Sequence, residues 1–297
     1  MGNYQLTISD IKTGINRCLT EIYASVGKSD KPGIYYVVGG PGSGKTGIER
    51  YIKKDLKEQG ETSTQVGSDF IATFHPNYEE ILENELPEDC YTLTRQFVRP
   101  AAPRIFEDIR KNKINLINEN TFDKGQSDID SVKEFKGAGY RISVNIMATD
   151  IFLSRLSCFE REAAMLRSEL IPRGISSETQ KRMYNSFVSE IQELQRLGLC
   201  DELNVYARGD NINKPRLVYS LNDTTYRDFY EAIILARNIQ RNDIIANSTE
   251  YLLRLDEAKK VISEYGTSEI LTQNSLKGIE KLREDFIREI YKEKIKD

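Results

Sequence analysis

The segment that most constrains the fold is a glycine-rich stretch between a short apolar run and a helical pattern. It reads Gly39-Gly40-Pro41-Gly42-Ser43-Gly44-Lys45-Thr46 and matches GxxxxGK[ST]. Residues 34–38 form the apolar run before it, and helical periodicity follows over residues 45–58. A strand, a glycine-rich loop and a helix in this order predict a loop whose backbone N–H groups face a bound phosphate. A Cβ atom at the glycines would obstruct that approach.

Two residues of this motif are expected to act through their side chains. Lys45 should reach the β- and γ-phosphates of ATP, and the hydroxyl of Thr46 should bind Mg²⁺. The whole segment, residues 39–46, is therefore the predicted nucleotide site. The alternative is a glycine-rich turn that binds nothing, which the flanking strand and helix disfavour.

Strand and helix patterns alternate along most of the chain. An amphipathic helix is expected over residues 7–26, strands over 65–68, 114–118, 140–148, 202–207 and 216–221, and helices from about 225 onward. Alternation of this kind predicts a mainly parallel sheet with helices on both faces, as in P-loop kinases, followed by a C-terminal helical extension. We expect a kinase domain over residues 1–222, including the N-terminal and lid helices, and the extension over residues 223–297.

The extension carries one apolar stripe. Ile279, Leu282, Phe286 and Ile290 recur at helical spacing. The stripe predicts either a packed helical hairpin or an oligomerisation surface.

Composition excludes several classes of protein. The chain has 297 residues and a formal net charge of −4, so its overall charge offers no reason to bind nucleic acid. It contains no apolar run of the ~18 residues needed to span a membrane. The four cysteines lack metal-ligand spacing, and the N-terminal residues lack a secretion signal, so a cytoplasmic location is expected.

The sequence after the phosphate loop favours a kinase of a small acceptor. The run at residues 114–119 contains two Asn and ends in Glu, unlike the strand of a motor ATPase, and no guanine-reading motif occurs. A small-acceptor kinase needs a carboxylate beside the acceptor hydroxyl and mobile arginines over the transferring phosphoryl group. Asp69 follows the second predicted strand, although it could instead be a helix N-cap. Arg155, Arg161, Arg167 and Arg173 lie where a lid is expected, although each could simply belong to a solvated helix face.

Several motifs in order resemble the zeta toxins, the kinase half of epsilon/zeta toxin–antitoxin systems. These are the loop GGPGSGKT, Asp69 followed by His75-Pro76-Asn77-Tyr78, Glu119-Asn120-Thr121, and FER with Arg161 before PRG with Arg173. The resemblance implies transfer of phosphate from ATP to a hydroxyl of UDP-N-acetylglucosamine, which inhibits cell-wall synthesis. It also implies a small helical antitoxin as partner.

The same resemblance implies roles for individual residues. Asp69 corresponds to the base that accepts the sugar hydroxyl proton, and Arg161 and Arg173 correspond to lid arginines. Glu119 and Thr121 correspond to part of the substrate site, although Glu119 taken alone could equally be an N-cap or an outer-sphere partner of Mg²⁺.

Two departures from the family pattern bear on the acceptor. Asp123 stands where relatives carry an arginine, and an acid there repels a sugar-nucleotide phosphate. Pro100 and Pro103 are expected to kink or interrupt a substrate-lining helix, where Arg99 or Arg104 could supply the missing positive charge. The alternatives to a UDP-sugar kinase are therefore a small-molecule or nucleotide kinase outside toxin–antitoxin biology, and a non-catalytic nucleotide-binding module.

Overall fold

A computed structural model describes residues 4–85, 87–168, 170, 177–209, 214–221 and 223–296. Its six-stranded sheet has the order β2-β3-β1-β4-β5-β6, and all neighbouring strands are parallel except β5 and β6. The strands are β1 (Gly33–Val38), β2 (Thr64–Gln65), β3 (Leu116–Asn120), β4 (Arg141–Met147), β5 (Glu202–Ala207) and β6 (Arg216–Ser220). The predicted mainly parallel α/β fold is confirmed.

Twelve helices lie within the described residues. They are α1 (Ile8–Tyr23), α2 (Lys45–Glu58), α3 (Ser68–Ala72), α4 (Tyr78–Asn84), α5 (Pro87–Lys111), α6 (Gln126–Gly137), α7 (Ile151–Arg167), α8 (Ser177–Met183), α9 (Phe187–Arg196), α10 (Phe229–Ala246), α11 (Ser248–Tyr265) and α12 (Glu269–Lys296). No helix among the described residues is long and apolar enough to cross a lipid bilayer.

Helices cover both faces of the sheet, which explains why its central strands are apolar along their whole length. On one face α2 packs Ile48 and Ile52 against Val37 of β1 and Met147 of β4. On the other face a larger core joins residues of α1, α5, α6, α9 and α10 to the sheet. Each fully buried Ile or Leu side chain contributes roughly 1.5–3 kcal/mol to this packing.

The proline-rich part of α5 forms continuous helix, so the expected interruption at Pro100 and Pro103 is wrong. Both prolines lie on the partly or fully exposed side of the helix, whereas Phe97 and Ala101 on the other side are buried. Water can solvate carbonyl groups that lose their helical N–H partner on an exposed face. Apolar packing of the opposite face holds the helix together.

The C-terminal helices pack within the chain. Helix α10 belongs to the main core, where Phe229 and Ile233 are buried. Helices α11 and α12 form a second core with α7, and this core encloses the predicted stripe residues Ile279, Leu282 and Phe286. The stripe is therefore a packed helical surface, and the domain boundary near residue 222 remains a prediction.

Candidate functional site

The carboxyl edge of the sheet gathers most of the predicted site residues. Strands β1 to β5 run parallel, so the segments that leave their carboxyl ends meet along one edge, where ligands of open α/β sheets bind. These segments are the phosphate loop after β1, the helix with Asp69 after β2, Glu119 and the turn after β3, helix α7 after β4, and Arg208 after β5.

The phosphate loop is closely enclosed. Gly42 has a φ of +73°, and a Cβ atom there would lie 2.2 Å from the carbonyl oxygen of Ser154 and 2.7 Å from Sγ of Cys158. Only glycine fits this position, because both the left-handed backbone and the contact with α7 exclude a side chain.

Lys45, the first residue of α2, contacts two carbonyl groups and one carboxylate through its ammonium group. Its Nζ donates to the carbonyl oxygens of Gly39 at 2.8 Å and Gly40 at 2.9 Å, and it lies 3.2 Å from Oε1 of Glu119. The ammonium group is thus held inside the loop beside one carboxylate. A polyphosphate in the loop would compete with Glu119 for this cation.

Side chains outside the loop hold its carbonyl groups. The guanidinium of Arg208 donates to the carbonyl oxygens of Gly42 at 2.6 Å and Ser43 at 3.2 Å, and the hydroxyl of Thr149 donates to Ser43 at 2.7 Å. A planar trans peptide points its C=O and N–H in opposite directions. Holding the carbonyl of Ser43 outward therefore turns the N–H of Gly44 toward the inside of the loop, where an anion would bind.

Asp69 is an exposed residue in the first turn of α3. The N-cap of this helix is Gly67, so the alternative in which Asp69 caps the helix is wrong. The carboxylate lies on a segment that leaves the same sheet edge as the phosphate loop. Its role as a base remains a prediction.

Glu119 belongs to β3 itself, and Thr121 lies in the turn that follows. A helix N-cap role for Glu119 is therefore wrong. The turn is fixed by Phe122, which is fully buried with a φ of 44° and donates its N–H to the side-chain oxygen of Asn120 at 2.9 Å. The hydroxyl of Thr121 donates to Oδ1 of Asp123 at 2.6 Å. Asp123 thus orients Thr121 and leaves its hydroxyl oxygen able to accept a hydrogen bond.

A buried carboxyl group, Glu49, lies one helical turn after Lys45. The residue is 4% exposed, and burial, followed by the charge of Glu119, raises the pKa of Glu49 to about 7. Its Oε1 has no hydrogen-bond partner among the described residues. Neither Glu49 nor Arg208 stood out in the sequence, although a cation directly after a predicted parallel strand is a signal that would have found Arg208.

The arginines expected in the lid divide into different groups. Arg161 is exposed on α7 and has no ion pair with any residue that the structure describes, whereas Arg173 lies outside the described residues. Arg155 is buried and lies 3.5 Å from Asp285 of α12, and Arg167 lies 2.5 Å from Glu257 of α11. Arg155 and Arg167 therefore join α7 to the C-terminal helices.

Arg99 and Arg104 both lie on the exposed face of α5. Arg99 lines a surface cavity of about 340 Å³ together with Tyr91, Thr92, Arg95 and Gln96. The guanidinium of Arg95 lies over the ring of Tyr91, 5.1 Å from its centroid. This cavity has two cations and an aromatic ring, which suits a phosphorylated ligand. Arg104 is not among its described lining residues.

The residues of the loop fit a nucleotide polyphosphate with Mg²⁺. The glycine cradle, the Lys45 ammonium and the buried hydroxyl of Ser43, which has no partner in the described part of the chain, all suit an anion. The side chain of Thr46 is exposed at the start of α2. Mg²⁺ commonly binds phosphates and water with only one or two protein oxygens. No group of three or more acidic, His or Cys side chains in the described ranges forms a metal cage of its own.

Comparison with known proteins identifies relatives of this chain. The profile of the family described as zeta toxin matches residues 17–215, which is more than half of the chain. A chain from the PezAT chromosomal toxin–antitoxin system of Streptococcus pneumoniae superposes with a TM-score of 0.68 at 20% identity, covering 87% of this chain and 100% of that one. A chain from the AvrRxo1-ORF1:AvrRxo1-ORF2 complex with ATP superposes with a TM-score of 0.52 at 11% identity, covering 92% of this chain and 81% of that one. At these identities the structural matches show a shared fold.

Proposed function

The chain belongs to the zeta toxin family, and from this premise we propose that it transfers the γ-phosphoryl group of ATP to a hydroxyl of a UDP-activated sugar such as UDP-N-acetylglucosamine. That it is a toxin-like P-loop kinase follows from the family. The observation that carries the proposal is the single sheet edge that holds the phosphate loop, the Lys45–Glu119 pair and the segment with Asp69. Phosphorylating such a sugar nucleotide would inhibit cell-wall synthesis.

The proposed reaction assigns each group a step. The inward N–H groups of the loop and the ammonium of Lys45 hold the β- and γ-phosphates. Asp69 accepts the proton of the sugar hydroxyl while the oxygen of that hydroxyl forms a bond to the γ-phosphorus of ATP. The bond between the γ-phosphorus and the bridging oxygen breaks, and that oxygen leaves with ADP. The products are ADP and the phosphorylated sugar nucleotide.

Binding of the acceptor and of the transition state involves other residues. Glu119 and Thr121 hold the sugar, and Arg161 with Arg173 offsets the charge that develops on the transferring group. Mg²⁺, when bound, would neutralise phosphate charge, and Thr46 is the residue that would hold it. Arg99 and Arg104 are proposed to offer positive charge to the diphosphate of the acceptor.

The proposed protein partner is a small helical antitoxin. The PezAT chain belongs to a toxin–antitoxin system, and the AvrRxo1 structure is a complex of two different chains. We place the reaction in the cytoplasm, where both ATP and nucleotide-activated sugars are available. Neither nucleic acid nor membrane is required for it.

A kinase with another acceptor is the second candidate. The observation that favours it is Asp123, an acid where relatives carry arginine, which lowers the local attraction for a diphosphate. A small-molecule or nucleotide kinase outside toxin–antitoxin biology would use the same phosphate loop and the same base.

The experiment that separates the two candidates is an acceptor screen. The protein is incubated with Mg²⁺, ATP and a panel of UDP-sugars, nucleosides and small alcohols, and each acceptor is examined by mass spectrometry for one added phosphoryl group. We expect a UDP-sugar to gain it. Lys45→Ala should abolish the gain and weaken ATP binding. Phosphorylation of another acceptor and of no UDP-sugar would favour the second candidate.

A further inference from the structure

The phosphate site contains one buried acid that the proposed reaction does not use. Glu49 lies on α2, one turn after Lys45, and is 4% exposed. The side chains of Glu119 and Gln65 are near enough to its carboxyl group to affect its pKa. Oε1 of Glu49 has no partner within the described chain. A buried carboxylate with an unsatisfied oxygen is costly unless the group is neutral.

Lys45 makes its contacts with other groups. Its ammonium group donates to the carbonyl oxygens of Gly39 and Gly40 and lies 3.2 Å from the carboxylate of Glu119. The single positive charge of Lys45 is therefore matched by the single negative charge of Glu119. A second negative charge on Glu49 would have to share this one cation with Glu119.

The groups that surround Glu49 also favour a neutral carboxyl group. The charged groups of the described chain that affect it most are Lys45, on its own helix, and Glu119, on β3, while β2 contributes the neutral Gln65. Strands β1 and β4 present the apolar Val37 and Met147 to this helix. Neighbouring carboxyl groups disfavour a second negative charge, and burial of Glu49 favours its neutral form.

We propose that Glu49 is the proton-binding group of the nucleotide site, so that binding a polyphosphate draws a proton from solvent onto this carboxyl whenever the pH is high enough to have removed it. The inference rests on the phosphate loop of the proposed function. A bound polyphosphate adds negative charge beside Glu49 and competes with Glu119 for Lys45. Both changes favour the neutral form of Glu49.

Thermodynamic linkage gives the sign of the effect. The pKa of Glu49 is raised in the free protein, to about 7, and bound phosphate raises it further. Below about pH 6 Glu49 is neutral in both states, and nucleotide affinity should not depend on this group. Above about pH 7.5 binding requires proton uptake, and affinity should fall by up to about tenfold per pH unit.

The test is calorimetric titration of the full chain with ADP and excess Mg²⁺ between about pH 6 and pH 8.5, in buffers of different ionisation enthalpy. Wild type should lose affinity above about pH 7.5 and take up a proton on binding. Glu49→Gln, an isostere of the neutral acid that cannot titrate, should retain affinity at alkaline pH and take up none. Glu58→Gln is the matched control, since it makes the same change at the exposed end of the same helix, and it should behave as wild type.

The outcomes separate this inference from the proposed function. Equal pH dependence in wild type and Glu49→Gln would overturn it. If Glu49→Gln does not fold, the wild type alone still tests the proposal, because absence of buffer-dependent proton uptake on ADP binding would overturn the role of Glu49. Failure of the wild type to bind ADP at any pH would also overturn it. The titration contains no acceptor, so a protein that shows the proton uptake but phosphorylates no UDP-sugar would contradict the proposed substrate and leave the role of Glu49 intact.

Discussion

Individual side chains on the carboxyl edge of the sheet differ in what their surroundings allow them to do. Lys45 is buried and donates to carbonyl groups of the loop, and Glu49 is buried on the same helix. Asp69, in contrast, is exposed at the start of a short helix. An exposed acid that does not cap its helix is accessible to an acceptor. The proposed base can therefore be removed without disturbing the loop.

We expect Asp69→Asn to lower the turnover rate by roughly 10²–10⁴-fold, the usual contribution of general acid–base catalysis. ATP affinity should remain nearly unchanged, because the phosphate contacts come from the loop. Single-turnover kinetics and calorimetry on the same preparation measure the two quantities. Turnover at the wild-type rate would contradict the role of Asp69 as base.

A second change at the residue scale concerns Asp123. Replacement by arginine removes the acceptor of the Thr121 hydroxyl and adds the positive charge that the family pattern implies at this position. We expect kcat/KM for UDP-N-acetylglucosamine to rise by no more than about tenfold, or about 1.4 kcal/mol, since the side chain is exposed.

The control for this change is Asp123→Asn, which keeps an acceptor for Thr121 without adding a cation. If Asp123→Arg has no effect while Arg99→Ala or Arg104→Ala lowers kcat/KM, the arginines of α5 supply the charge. If none of these variants alters turnover of a UDP-sugar, the acceptor is of another class.

At the scale of elements, the phosphate loop depends on the structures around it. Arg208, directly after β5, and Thr149 and Ser154, at the start of α7, donate to its carbonyl groups. These contacts hold the loop carbonyl groups and so favour N–H groups that point inward, where a phosphate would bind.

We expect Arg208→Ala to weaken ATP binding by roughly 10–100-fold, since hydrogen bonds to charged groups contribute about 1.5–3 kcal/mol. Arg208→Lys should recover only part of this loss, because a lysine lacks the planar fork that reaches two carbonyl oxygens. Arg216→Ala, in the exposed part of β6, is the control and should bind ATP as wild type does. Calorimetric titration with ATP measures the affinity of each variant. Unchanged affinity in Arg208→Ala would exclude a role for Arg208 in positioning the loop.

At the scale of the whole molecule, α7 connects the phosphate loop to the second core. One side of this helix contacts the phosphate loop through Ser154, and another packs Leu156 and Phe159 against α11 and α12. Arg241 of α10 adds a salt bridge to the buried Asp150 at the start of α7 and contacts Glu289 of α12 at 3.2 Å. The C-terminal helices therefore support the element that encloses the nucleotide site.

We expect Leu255→Ala, in the second core, to lower the free energy of unfolding by about 2–5 kcal/mol. Leu255 is fully buried, whereas Leu253 on the same helix is 63% exposed, so Leu253→Ala should have almost no effect. Urea unfolding should remain a single transition in both variants, because α10 packs in the main core through Ile233 and against the second core through Ile244. Two separate transitions would show that the cores unfold independently.

The sequence alone was enough to predict the phosphate loop, the helix that follows it, the mainly parallel sheet and the apolar stripe of α12. These features depend on local pattern: glycine spacing, side-chain periodicity and apolar runs report backbone conformation over a few residues. They do not report which distant segments meet. The continuous helix through Pro100 and Pro103 was missed because burial of its opposite face outweighs the local preference of proline.

Tertiary structure decided the remainder of the site. Arg208 contacts Gly42 across 166 positions of sequence, and Glu119 of β3 affects the pKa of Glu49 on α2. Arg155, one of the arginines in the expected lid region, is instead buried against α12. The physical reason is that these groups acquire their properties from desolvation and from neighbouring charges. Both are set by the order of strands in the sheet and by the docking of helices, which no local pattern encodes.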